Sequence, residues 1–580
     1  MPFVRNPLRV VEIVQPLCSR TFGTSPCDAT GTKCYNTDFT CKFRAALDLT
    51  DTLSLYFVED MAYEWYDGVG AFQPATAIPS LVTVRTAPTV LNVASGSENR
   101  SPLGNRAVCN VRIKDHPWND IDVDPYLADR SFDPQAQGTF WGKWLARNPF
   151  HQGYTLNVYE GELGDALADM SKRQYIIDKI DLGRDGVSIT AKDILSQITS
   201  QKRLAPTLSP GVLTTDIDAV VTSLTVAGAV EADYPATGWV RIGSEVVAYT
   251  ARALVGSDVQ FTGLTRGALD TAAAAHRQNE RVQRVLAWVD TPFQDILYEL
   301  LTEWGGIPAG FIDKTAWDTE VNDWRGIFSF TGYITTPTAI DQLAGEIVLQ
   351  AVSNIWWDER QQLIILRALR PTTVENLLTQ DADIKAGSFA IKELPEQRIS
   401  QVIVYYNLRN PTLTVTDGTN YENAEVRIDV GKQIQYGGEP AIQELFCRFI
   451  PTSLIAGNLA TNYLNRFKDV RREVTFSLPE ENGLWTGDNV SIEHFLDQDE
   501  FGLPLKQNWL IIEAGVNSVG AEYRFVAEDN NSVGVLWVWQ SDDVPADWDA
   551  ATAQERIELP FWLNDDGTDP GGNARLERWL

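Results

Sequence analysis

Four of the six cysteines in this 580-residue chain fall between residues 18 and 41. Cys18, Cys27, Cys34 and Cys41 are separated by eight, six and six residues, with Gly23, Pro26 and Gly31 supplying bends between them. Four thiolates on flexible loops can converge on one soft metal centre, either an iron–sulfur cluster or a structural zinc, because sulfur ligands select those ions over magnesium or calcium. Zinc favours short CxxC or CxxH knuckles, and none occurs in this segment. Disulfides require an oxidising compartment, and the opening MPFVRNPLRV carries no charged-then-apolar leader directing the chain to one. Weighed against these, a cuboidal iron–sulfur cluster is favoured, although spacing alone does not fix the cluster type; zinc, disulfide pairs and four unliganded thiols stay open as alternatives.

Other chemistry is sparse. The histidines at 116, 151, 276 and 494 form no HxxxH or HExxH pair, and neither GxSxG nor GxxxxGK[ST] occurs, so the sequence predicts no enzyme. His276 reads as a surface or packing residue, because no second histidine, cysteine or carboxylate cluster accompanies it in sequence. Asp115, Asp120, Asp122 and Asp124 could offer oxygen ligands to calcium, but their irregular spacing reads better as a solvated loop turning at Pro125. Cys109 and Cys447 sit in apolar settings and read as buried core thiols.

Composition sets the frame. With 44% hydrophobic residues, 18 Trp, 18 Tyr and 23 Phe, the chain can build several buried cores. No apolar run is long enough to span a bilayer. A net charge of −30 excludes a basic, phosphate-gripping surface.

The elements that must position the cysteines are mostly strands. Residues 51–170 contain eight prolines that break long helices and read as short strands and turns. RQYIIDKIDL and GVSITAKDIL alternate apolar and polar positions and lead to a short helix ending near Leu204-Ala205-Pro206. The alternation over Trp239 to Tyr249 about Gly243-Ser244 predicts a hairpin, with another strand at Val259 to Leu264. Two amphipathic helices follow. One is opened by Thr291-Pro292 and carries Phe293, Ile296, Leu297, Leu300, Leu301 and Trp304; the other is opened by Thr336-Pro337 and carries Ile340, Leu343, Ala344, Ile347, Val348 and Ala351. A hairpin about Asp358 to Gln361, strands at Gln401 to Tyr406 and Leu413 to Val415, a helix over 452–468 and strands over 471–528 complete the body. From Leu536 onward the chain is acidic and rich in Trp and turns, which reads as an arm docking on a neighbouring subunit.

The expected fold class is α+β and β-rich, with several small β-barrel or sheet domains, packed amphipathic helices and a preceding Cys-rich loop segment. The expected units are 1–50 (Cys-rich metal segment), 51–206 (β-rich), 207–285 (inserted antiparallel β domain), 286–395 (α+β), 396–530 (β-rich with one helix) and 531–580 (acidic arm).

Several phrases carry a resemblance. Cys18, Phe22-Gly23, Cys27, Lys33-Cys34-Tyr35-Asn36-Thr37 and Thr40-Cys41 resemble the cysteine region of tail-tip, or baseplate hub, proteins of long non-contractile-tailed, siphovirus-like phages and gene transfer agents, the group that includes the lambda tail-tip protein. Ile78 to Leu81, Asp120 to Tyr126 and Gly138 to Pro149 are similar in the same order, and Thr262 to Gly267 with His276 resembles a small β domain of tail proteins. The resemblance covers the first 210 residues, extends more loosely to about residue 530, and omits the acidic arm. It implies a structural virion protein in the phage tail tip, assembled in the host cytoplasm, in which Cys18, Cys27, Cys34 and Cys41 hold a [4Fe-4S] cluster as a structural staple. It further implies a homotrimer bound to the distal tail protein ring, the tape measure protein and a central fibre or tip protein, with DNA leaving through the lumen during genome ejection. A zinc-stapled receptor-binding protein and an iron–sulfur redox enzyme are the alternatives.

Overall fold

The computed structural model describes residues 7–59, 77–93, 103–163, 165–198, 203–326, 328–370, 376–480 and 482–530, together with the backbone of 537–539 and 561–563. It is β-rich α+β. Seven strands, β1 (Pro7–Leu17), β2 (Asp51–Glu59), β3 (Ala77–Ala87), β4 (Val108–Ile113), β5 (Thr155–Glu162), β6 (Ser171–Gly183) and β7 (Gly186–Lys192), close into a barrel in the order β1-β2-β3-β4-β7-β6-β5. β5 pairs back onto β1 across Val14↔Thr155 to Pro7↔Glu162, so no edge is left open. Alternation puts Val11, Ile13, Phe57, Val111 and Val158 in the interior.

A helix unforeseen in the sequence fills one side of that interior. In α1 (Phe140–Arg147) the Thr139 hydroxyl caps the first turn by accepting from the Gly142 amide at 3.3 Å. Trp141 and Trp144 are buried, Phe57 stacks on Trp141 at 5.3 Å, and the Trp144 indole donates to Gln15 Oε1 at 2.7 Å. The prolines of this region exclude a long helix, but eight residues fit between Pro134 and Pro149. The first expected boundary, at residue 50, falls inside the barrel: the cysteine segment is the connection between β1 and β2, because β1 needs both β2 and β5 to satisfy its backbone.

Two four-stranded sheets between Val212 and Arg284 enclose their own core around Val226, Tyr234, Val240, Tyr249 and Phe261. The hairpin turns at Gly243, whose φ of +59° suits glycine, with Ile242 opposite Glu245. His276 is a packing residue, one of the two readings its sequence allowed, although two carboxylates do accompany it. Buried His276 sits between Glu245 Oε2 at 2.8 Å and Glu280 Oε2 at 2.9 Å, and Arg266 grips Glu245 with two contacts of 2.7 Å. Glu245 lies 31 residues from His276 and 21 from Arg266, beyond a local reading, whereas Glu280 is only four residues from His276.

The third region packs α2 (Phe293–Glu299), α3 (Lys314–Arg325) and α4 (Ile340–Gln350) with the hairpin Ser353–Asp358/Leu363–Ala368. The apolar stripes of α2 and α4 are buried as the spacing predicts, and α2 runs on as a π-helical turn over Leu300–Trp304. Their starts differ from expectation. Thr291-Pro292 finishes a strand, Leu286–Pro292, and neither Thr291 nor Thr336 caps a helix. Thr338–Ala339 instead pairs with Leu204–Ala205, which replaces the short helix expected to end there by a 3-10 turn at Ile194–Gln197 and a two-residue strand. α3 escapes the sequence reading because only Trp317 and Val321 face its apolar neighbours.

Further along, a three-stranded sheet (Tyr421–Ile428, Gln401–Leu408, Ile442–Cys447) is covered by α6 (Ser453–Phe467), with α5 (Val430–Gln435) beside it. Leu413 to Val415 is not a strand; the Asn420 side chain donates to the Asn410 and Thr414 carbonyls and bends that segment into turns. A six-stranded sheet over Leu377–Asp529 forms the last core. Beyond it, Trp537–Trp539 pairs antiparallel with Phe561–Leu563; the rest of the expected arm, and its docking, lie outside the described residues. No helix among the described residues is long and apolar enough to cross a membrane.

Glu245 gives a pH signature. Burial alone would raise its pKa, but hydrogen bonds from Arg266, the Ala274 amide, His276 and the Gly267 amide hold the carboxyl at about 2, below the ordinary 4.5. Its stabilisation is therefore complete above pH 4.5 and lost as pH falls through about 2. Thermal unfolding across pH 7 to 2 should show Glu245→Gln less stable at neutral pH, with the gap to the parent chain closing in acid.

Candidate metal centre

Residues 18–50 leave β1 as one long connection with little regular structure, so neighbours must fix its path. The Cys18 amide donates to the Asn36 carbonyl at 2.7 Å and the Asn36 side chain returns a bond to the Cys18 carbonyl at 3.2 Å. Gly23 and Gly31 take φ of +74° and +87°, a region where side chains are disfavoured, and the Thr24–Cys27 bridge closes the first bend. Phe22, Cys27, Ala29 and Cys34 form a small apolar cluster with Tyr126, whose hydroxyl accepts from the Phe22 amide at 2.8 Å.

Tyr35 is the pivot of the second half. The guanidinium carbons of Arg130 and Arg147 each lie 3.9 Å from its ring centroid, which two planar groups can do only from opposite faces. Arg130 is gripped by Asp124 at 2.6 and 2.8 Å and donates onward to the Lys33 and Cys34 carbonyls at 2.6 and 2.8 Å. Asp120 holds Arg147 at 2.6 Å and Lys143 at 2.7 Å, and the Thr37 hydroxyl donates to the Arg147 carbonyl at 2.8 Å. The expectation of a solvated aspartate loop is thus corrected. Asp120 and Asp124 are buried and ion-paired, Asp115 accepts from the Trp141 amide at 3.0 Å, and only Asp122 is exposed. Positive φ at Asp120 and Asp122, which aspartate tolerates, turns the segment inward.

All six cysteines are free thiols in this structure. Cys109 and Cys447 are core residues as expected, and burial pushes the Cys109 thiol up to about 12. Cys18, Cys27 and Cys34 are buried and Cys41 half-buried. Burial raises the Cys34 thiol above its ordinary range; a hydrogen bond from the Asn36 backbone pulls it back, and repulsion from Cys41, Cys27 and Cys18 raises it further. Among the described residues, no three His, Cys, Asp or Glu side chains stand close enough to hold a single ion. Cys18, Cys27, Cys34 and Cys41 are soft donors by chemistry, but their side chains are not gathered into one metal cage in this structure.

Of the fixing residues, Tyr35, Tyr126, Arg130 and Arg147 have no role in the sequence reading, and Asp120 and Asp124 have the wrong one. Most of them lie in phrases that stood out there, but their pairing across about a hundred residues leaves no local signal.

No protein-family model and no curated protein matches the chain. Among solved structures, a tail protein of prophage MuSo2 from Shewanella oneidensis is 10% identical, aligned over 78% of this chain and 100% of its own, with a TM-score of 0.36. A tail protein from Neisseria meningitidis is 10% identical over 57% of this chain and 96% of its own, with a TM-score of 0.30. A chain in the virion of a native gene transfer agent particle is 15% identical over 57% of this chain and 87% of its own, with a TM-score of 0.33. At these scores none of the superpositions establishes a shared fold.

Asp124→Asn should leave Arg130 buried without a counter-charge and cost about 3–5 kcal/mol in urea unfolding. Lys179→Ala, which breaks an exposed pair with Asp181, should leave the urea midpoint essentially unchanged.

Proposed function

We propose that this chain is a structural virion protein, a baseplate hub at the tip of a long non-contractile phage tail, whose cysteine loop is stapled by a [4Fe-4S] cluster. The observation that carries the reading is spatial. The phrases bearing the sequence resemblance, Lys33 to Thr37, Asp120 to Tyr126 and Gly138 to Pro149, meet at one place through Tyr35, Asp124, Asp120 and Arg147. Residues far apart in sequence that resemble one family in order, and then build one clamp in space, argue for a common structural purpose.

Cys18, Cys27, Cys34 and Cys41 are the residues that would hold the cluster. When bound, it supplies ligand bonds whose free energy becomes folding free energy for a loop with little core of its own. The work of the protein in this reading is mechanical rather than catalytic. A homotrimer joins the distal tail ring to a central fibre, contacts the tape measure protein and lets DNA leave through its lumen. A net charge of −30 suits a channel that DNA passes without sticking. The acidic arm docks on a neighbouring subunit.

Anaerobic purification of the full chain, followed by iron, sulfide and zinc analysis, tests the staple. The expected result is a brown protein with about four iron and four sulfide per chain. One zinc per chain, or no metal, overturns the cluster. Electron microscopy of virions labelled on this protein tests its place, and density anywhere other than the tail tip overturns the hub assignment.

A further inference from the structure

We infer that Arg130 is a positioning residue for the Cys34 ligand, and that the stack Arg130–Tyr35–Arg147 sets the second half of the cysteine loop in place before any metal arrives. The inference rests on the reading that the cysteines hold a metal group, but its geometry stands on protein atoms alone. Arg130 makes four contacts: two to Asp124 and one each to the Lys33 and Cys34 carbonyls. Its side chain and that of Asp124 are 4% and 0% exposed, so the pair is shielded from water and from salt. A guanidinium held in this way offers its three remaining donors in fixed directions, and two of them are spent on the backbone that carries the Cys34 sulfur.

Tyr35 adds a second constraint. Sitting next to Cys34 and pinned on both faces, its ring cannot swing without breaking contact with two charged groups. Arg147 belongs to α1, whose tryptophans are packed inside the barrel, so the ring is referenced to the barrel core. The Thr37 hydroxyl reaches the Arg147 carbonyl and Thr40, fixing the approach to Cys41. By contrast, Cys18 is tied to the end of β1 and to Asn36, and Cys27 to its own turn. Arg130 therefore acts on Cys34 far more directly than on Cys18 or Cys27.

The test uses the full-length chain in its metal-free form. Iodoacetamide labelling resolved by mass spectrometry reads the exposure of each cysteine, with Cys109 and Cys447 as internal reporters of an intact fold. In Arg130→Gln, Cys34 should label about tenfold faster than in the parent, as expected for losing charge-assisted hydrogen bonds, while Cys18, Cys109 and Cys447 stay unchanged. Arg130→Lys keeps the charge but loses the fork and should fall between the two; Tyr35→Phe keeps the stack and should match the parent. Unchanged Cys34 labelling in Arg130→Gln, or equal acceleration at Cys18 and Cys27, overturns the inference. Where Arg130→Gln also exposes Cys109 and Cys447, Arg130→Lys decides, and parent-like labelling of Cys34 in that variant overturns it. Metal analysis of the same preparations is a separate arm. A parent chain that takes up no metal under reconstitution, yet keeps the labelling difference, sinks the metal reading while the positioning role stands.

Discussion

Burying a carboxylate is costly unless a cation and further hydrogen bonds repay the lost water, and the segment around the cysteines is organised by that constraint twice over. Asp124 is repaid by Arg130, and Asp120 by Arg147 and Lys143. Because each guanidinium then has a fixed plane, the Tyr35 ring finds a slot between them, and a loop of some thirty residues with only a handful of buried apolar side chains acquires a definite course. The dependence runs inward from there. Arg147 is fixed because α1 is fixed, and α1 is fixed because Trp141 and Trp144 are packed inside a barrel whose closure leaves no free edge.

The barrel is joined to the rest of the molecule by hydrogen bonds and a shared core. The Trp357 indole donates to the Gln174 carbonyl at 3.2 Å, and the Gln174 amide donates to the Glu359 carbonyl at 3.1 Å, tying β6 to the central hairpin. The Leu91 amide donates to the Ile512 carbonyl at 2.9 Å, tying the segment after β3 to the six-stranded sheet. One hydrophobic core runs from Leu91 and Leu195 through α2 and α4 to Phe467 and Leu510.

Elements whose stabilising partners are near in sequence were legible there, and elements fixed from far away were not. The stripes Phe293 to Leu301 and Ile340 to Val348 bury themselves, and the hairpin about Gly243 follows from turn chemistry, so periodicity and glycine placement suffice. Thr291 and Thr336 look like caps, yet the strand ladder claims one and neither serves as a cap, because a ladder satisfies more backbone groups than a single side chain can. α3 shows too few apolar positions to stand out. Its C-terminal Arg325 is held instead by the Ala351 and Leu369 carbonyls, distant groups with no sequence pattern. The same blindness applied to the site: the cysteine spacing was visible, while the aspartates that fix it looked like a solvated turn.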